Sequence, residues 1–164
     1  MYETKFGSLA RFDKGGIELI QGRAKDFVFS NLFEVASRSR PYEKVVVAKN
    51  LQYVVEALRA EGDSAWFTAA HDEFAVVMDG DVEAHFIKLQ HPDQAAPPGT
   101  EGSIRLEAEP AGRRMGRVRL QRGHQVLLPK GAAYQFRALE LGVVILQTVL
   151  GPHSIEKWSE ICYR

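Results

Sequence analysis

From about residue 64 onward the chain alternates apolar and polar positions in short runs, the period-2 pattern of strands. Residues 64–70 ("SAWFTAA") and 73–80 ("EFAVVMDG") read as strands. Residues 81–89 set Val82, Ala84 and Phe86 against Glu83, His85 and Ile87. Asp79-Gly80 between them predicts a two-residue hairpin turn pairing these two runs. Residues 117–123, 124–129, 132–139 and 142–150 are further short strands separated by Gly or Pro turns. Residues 91–116 are rich in Pro, Gly and charge and predict a flexible excursion, with a short strand at "SIRLEAE".

The first third is patterned differently. Residues 16–23 and 43–50 suit strands. Residues 30–40 suit a short helix capped by Ser30, with Glu34 in its first turns and Pro41 after it. Apolar residues at 51, 54, 55 and 58 give the i, i+3, i+4, i+7 stripe of an amphipathic helix over 51–62, with Asn50 as N-cap and Gly62 as stop. Beyond Gly151-Pro152, a helix over 153–164 places Ile155, Trp158, Ile161 and Cys162 on one face, with Ser154 as N-cap. The expected organisation is one domain: a helical and strand extension over 1–62, a barrel over 64–150, and a C-terminal helix. Many short strands and few helices predict a mainly β fold, a small β-barrel or jelly roll.

Composition narrows the function. The 164 residues carry 21 Lys+Arg and 21 Asp+Glu, so formal net charge is zero, which argues against a nucleic-acid binder. No apolar run approaches the length of a membrane span. The single cysteine, Cys162, forms no internal disulfide, and no apolar leader follows Met1, so a cytoplasmic protein is expected.

Two spaced patterns carry the chemistry. Gly123, five residues, Pro129, Lys130 and Gly131 precede "AAYQFRA"; Glu73 is followed after six residues by Gly80. These resemble the two cupin motifs, G-x5-H-x-H-x3,4-E-x6-G and G-x5-P-x-G-x2-H-x3-N, which in that superfamily converge three histidines and a carboxylate on one metal ion. Here the second histidine position falls at Ala69 or Thr68, the first at Phe67 or Trp66, and that of the second motif at Tyr134. Only Glu73 keeps a ligand, and one carboxylate is a poor hold for Fe(II), Mn(II) or Zn(II).

With its extension and length, the sequence "SAWFTAAHDEFAVVMDGDVEAHFIKL" resembles, over residues 43–150, the small subunit of two-component hydroquinone 1,2-dioxygenases. Those enzymes cleave aromatic rings in 4-nitrophenol and 4-hydroxyacetophenone degradation. The resemblance implies that Fe(II) sits in a larger cupin-type partner subunit, that none is bound by this chain, and that the two assemble as a heterotetramer around an aromatic substrate.

Trp66, Glu73 and Tyr134 are then the candidate substrate-binding residues. Trp66 would stack on or wall off an aromatic ring, or else fill the barrel. Glu73 would orient a hydroxyl, or else pair with an arginine or with Tyr134. Tyr134 would donate its phenol to a ligand. An alternative metal set is His71, Glu73 and His124, as in a self-sufficient metalloenzyme; a metal-free ligand-binding cupin is the third reading. His71 with Asp72 also suits an interface, and the five arginines of 113–122 suit a solvated edge or an acidic partner. His85, His91 and His153 show no ligand spacing.

Overall fold

The computed structural model describes residues 6–15, 18–22 and 31–157. Among them, two short helices and nine strands build one sheet that curls into a cupin-type barrel. The helices are α1 (Leu32–Ser37) and α2 (Pro92–Ala95). The strands are β1 (Lys44–Asn50), β2 (Tyr53–Ala60), β3 (Trp66–Thr68), β4 (Glu73–Leu89), β5 (Ile104–Leu106), β6 (Gly112–Gln121), β7 (Gln125–Leu128), β8 (Ala132–Val149) and β9 (Ser154–Ile155).

One path through the sheet runs β5-β3-β8-β2-β1-β9, and β4 joins it by pairing with β6, β7 and β8. Alternation then sorts the side chains. Leu58, Phe67, Ala75, Val77, Phe136, Val144 and Leu146 face inward and form the main core. Each large apolar side chain wholly buried there contributes about 1.5–3 kcal/mol. Val45 and Ala57 face outward instead and are covered by Val35 of α1. That helix is capped by Asn31, whose Oδ1 accepts from the Phe33 and Glu34 amides, rather than by Ser30, which lies outside the described residues.

The structure corrects several expected elements. Residues 51–62 form no helix: β2 pairs with β1 on one side and with β8 on the other. Its outward face is covered by α1, so both faces carry apolar residues, and a doubly covered strand mimics a helical stripe. Asn50 ends β1 rather than capping a helix, and Leu51 takes φ 57° in the turn that follows.

Asp79-Gly80 is not a hairpin turn either. β4 runs through it unbroken, and its two halves pair with other strands: 73–76 with β7, 81–89 with β6, and both with β8. Register shifts on both sides of Asp79 mark β-bulges that bend the strand. The runs 132–139 and 142–150 likewise merge into the one strand β8.

The excursion of 91–116 holds α2, β5 and the start of β6. Residues 18–22, the described part of 16–23, are exposed and irregular. Ser154–Ile155 is a strand parallel to β1 rather than a helix start; Trp158, Ile161 and Cys162 lie outside the described residues. The extension of 1–62 is thus mostly strand where it is described, with α1 its only described helix.

Candidate functional site

The barrel interior changes character along its length. One end is apolar. At the other, β1, β2, β4 and β8 each turn a polar side chain inward: Lys44, Glu56, Glu73, Tyr134 and Thr148, all buried.

Glu73 is 1% exposed. Ser103 Oγ donates to its Oε2 at 2.6 Å, and the Tyr134 hydroxyl donates to Oε1 at 3.1 Å. Those two bonds offset the cost of burying the carboxylate. Burial pushes the Tyr134 phenol well above its ordinary range, and the neighbouring Glu73 charge adds to this, so the hydroxyl stays protonated and able to donate.

Phe67 stacks on Tyr134, ring centroids 6.1 Å apart, and His153 meets Phe67 edge-on at 6.2 Å. Burial, then the charges of Lys44 and Arg105, hold the His153 imidazole below its ordinary range. Lys44 Nζ lies 4.4 Å from the Phe67 centroid and 5.9 Å from that of Tyr134. Glu56 Oε1 accepts from Ser154 Oγ at 2.5 Å. Burial raises the Glu56 carboxyl against the opposing pull of Lys44.

The candidate residues are divided by this geometry. Glu73 and Tyr134 meet inside the barrel. Trp66 does not join them, because neighbours on a strand point to opposite faces. Phe67 takes the inward position, and Trp66 packs against Ile87, Leu89 and Ala133. It lines a separate cleft of about 250 Å³ with His85, Phe86, Arg114, Arg117 and Arg137.

His71, Glu73 and His124 do not come together. His71 Nε2 accepts from the Gly102 amide, and His124 Nδ1 accepts from the Gln121 amide in the β6–β7 turn. No group of three or more His, Cys, Asp or Glu suited to a metal ion occurs among the described residues. His71 and Asp72 instead rim a mostly apolar cavity of about 400 Å³ that reaches Glu73 and Thr148, walled by Tyr53, Phe74 and Leu127.

The arginine-rich β6 is exposed and, among the described residues, pairs with β4 alone. Two of its arginines pair with acids of β4, Arg119 with Asp81 at 2.5 Å and Arg117 with Glu83 at 3.4 Å; Arg114 pairs with Glu109 at 2.9 Å, and Arg122, just past the strand, with Asp79 at 2.8 Å. His85, in the Trp66 cleft, bonds Glu83 at 2.8 Å.

Lys44, Glu56 and Ser103 were not anticipated. A lone charge between inward apolar neighbours, as Glu56 stands between Val54 and Leu58, is the signal that was available.

No family profile and no curated protein matches the chain. Solved structures do. Hydroquinone 1,2-dioxygenase PnpCD, in complex with Cd2+ and 4-hydroxybenzonitrile, contains a chain 55% identical, with TM-score 0.90, over 100% of this chain and 98% of that one. The hydroquinone 1,2-dioxygenase of Sphingomonas sp. TTNP3, with 4-hydroxybenzoate bound, contains one 48% identical, with TM-score 0.92, over 99% and 98%.

This chain belongs to the hydroquinone 1,2-dioxygenase family.

A cupin-2 domain protein from Shewanella frigidimarina, 19% identical with TM-score 0.51, shares the fold over 71% of the chain. A further chain of the PnpCD enzyme, in complex with Fe3+, also shares the fold alone: 12% identity and TM-score 0.60, over 85% of this chain but 38% of that longer one.

Iron is the metal this dioxygenase family implies, and the interior of this barrel does not fit it. Glu73 is committed to Tyr134 and Ser103, the three imidazole positions hold two aromatic rings and Ala69 or Thr68, and a lysine ammonium points among the rings. Such a donor set offers Fe(II) the carboxylates of Glu73 and Glu56 with a positive charge opposing the ion, and no imidazole at the motif positions.

Among the described residues no helix is long and apolar enough to cross a membrane.

Proposed function

We propose that this chain is the small, non-metal-binding subunit of an Fe(II)-dependent, extradiol-type, ring-cleaving hydroquinone 1,2-dioxygenase of aromatic degradation. It docks on a larger, iron-bearing cupin-type subunit in a heterotetramer of the cytoplasm. The observation that carries this reading is the 55% identity along essentially the whole length of both chains. The longer PnpCD chain supports it, since that enzyme contains one chain of this size and one much longer chain with the same fold.

In this reading the ring-cleaving chemistry belongs to the partner's iron. This chain closes the substrate pocket from one side. Trp66 shares its cleft with Arg114, Arg117, Arg137 and Glu109 and offers an aromatic face among ion-paired polar groups, and subunit boundaries often host such sites. Glu73 and Tyr134 stay inside the barrel and hold its mouth in shape, so of the three candidates only Trp66 contacts the aromatic substrate.

The test is to purify the longer subunit with and without this chain and follow hydroquinone ring opening by absorbance. The pair is expected to turn over while the longer subunit alone loses most activity. Equal turnover without this chain would remove the role.

A further inference from the structure

Lys44 is the most unusual side chain in the barrel. It is 2% exposed, and its Nζ has no hydrogen-bond partner among the described residues. A buried ammonium is costly unless something replaces its water. What faces it here is aromatic. Phe67 stands at 4.4 Å and Tyr134 at 5.9 Å from Nζ to ring centroid. Both distances fall within cation–π reach, where the negative ring faces attract a cation. These rings occupy positions at which a metal-binding cupin places imidazoles.

The surrounding charge has the matching sign. Glu56, 1% exposed, leaves Oε2 without a hydrogen-bond partner among the described residues; burial raises its carboxyl, and the charge of Lys44 opposes that rise. Glu73, equally buried, adds a second carboxylate and repels Glu56. Two carboxylates and two π faces converge on one region of the interior, and among the described residues Lys44 is the buried cation there; Arg105, opposite Phe67 on β5, is exposed.

We propose that the Lys44 ammonium serves as the internal cation of this barrel, standing in for a metal ion between Phe67 and Tyr134 and balancing the buried carboxylates Glu56 and Glu73. The substitution keeps the arrangement of a metal barrel, a central cation held by converging strands, and supplies the charge covalently from β1. It also closes the interior to divalent ions by occupying the position with like charge. Nothing in it depends on which subunit performs the chemistry.

The experiment is thermal unfolding of the full chain in four variants. Lys44→Met keeps the length of the side chain and removes its charge. It is expected to lower Tm by roughly 10 °C, because the carboxylates lose their counter-charge. Lys44→Arg, which keeps a cation, should lose much less. Glu56→Gln should lower Tm in the parent chain but raise it in the Lys44→Met background, where it relieves an unbalanced charge. Should Lys44→Met alone yield no folded chain, the double variant decides, with recovery of folded protein expected and failure to recover it counting against the proposal. Lys44→Met as stable as the parent would overturn it, as would Glu56→Gln having the same effect in both backgrounds; Lys44 would then be an apolar stem filling the core.

Discussion

Two bonds decide the behaviour of Glu73 at the level of single residues. Tyr134→Phe removes the donor to Oε1 while keeping the ring that stacks on Phe67. Urea denaturation should show a loss of about 1–3 kcal/mol, the cost of a buried acceptor losing its partner; an unchanged midpoint would mean the bond contributes nothing. Asp79 gives a pH dependence. Burial would raise its carboxyl, but the Arg122 guanidinium and the amides of Leu9 and Gly80 outweigh that and hold it below the usual aspartate range. A depressed carboxyl stabilises the fold above its unfolded pKa, and that contribution disappears as pH falls through the lower, folded value. The loss should therefore set in below about pH 4. Asp79→Asn is expected to flatten the acid limb of a stability–pH curve; an identical limb would contradict this. Glu73 and Tyr134 were legible from motif spacing because each lies in one spaced motif of turn residues. Lys44 and Glu56 were not, because β1 and β2 carry no motif, and only the closed sheet brings their charges to the same interior.

At the scale of elements, the crossing of β4 and β8 governs the shape. Both strands bend where Gly80 and Gly142 face each other. A Cβ at Gly80, itself at φ 82°, would lie 2.6 Å from Gly142 Cα, and one at Gly142 would collide with the Asp79 carbonyl. Gly142→Ala should cost about 2 kcal/mol or more through strain at this close approach, read by chemical denaturation; a neutral result would show that the bend is not fixed there. This crossing also explains what periodicity missed. Glycine beside aspartate signals a turn, yet here the same residues relax a long strand through bulges, and only pairing with β8 distinguishes the two. β2 was misread for a related reason. Alternation reports a sheet with one wet face, and α1 removes that difference. The strands of 64–89 and 117–150 were legible because alternation persists where the two faces differ in burial, as over 73–77 at the start of β4.

Over the whole molecule, two sites stand apart: a buried, charged interior and the separate Trp66 cleft. In the proposed assembly the first is structural and the second lies on the substrate side. Trp66→Phe in the assembled enzyme should raise KM for hydroquinone several-fold with the Tm of this chain shifted by only a few degrees, because Phe retains much of the packing against Ile87 and Leu89. Unchanged kinetics would move the pocket wall elsewhere. The zero net charge and the ion-paired β6 edge leave no large single-sign field for steering a polyanion, so recognition rests on shape and local contacts. The most direct check of the central claim is iron content. This chain alone, and the chain assembled with its longer partner, are loaded anaerobically with Fe(II), dialysed and assayed for bound metal. The account predicts about one iron per pair in the assembly and far less than one in the isolated chain. One tightly held iron per isolated chain would contradict it.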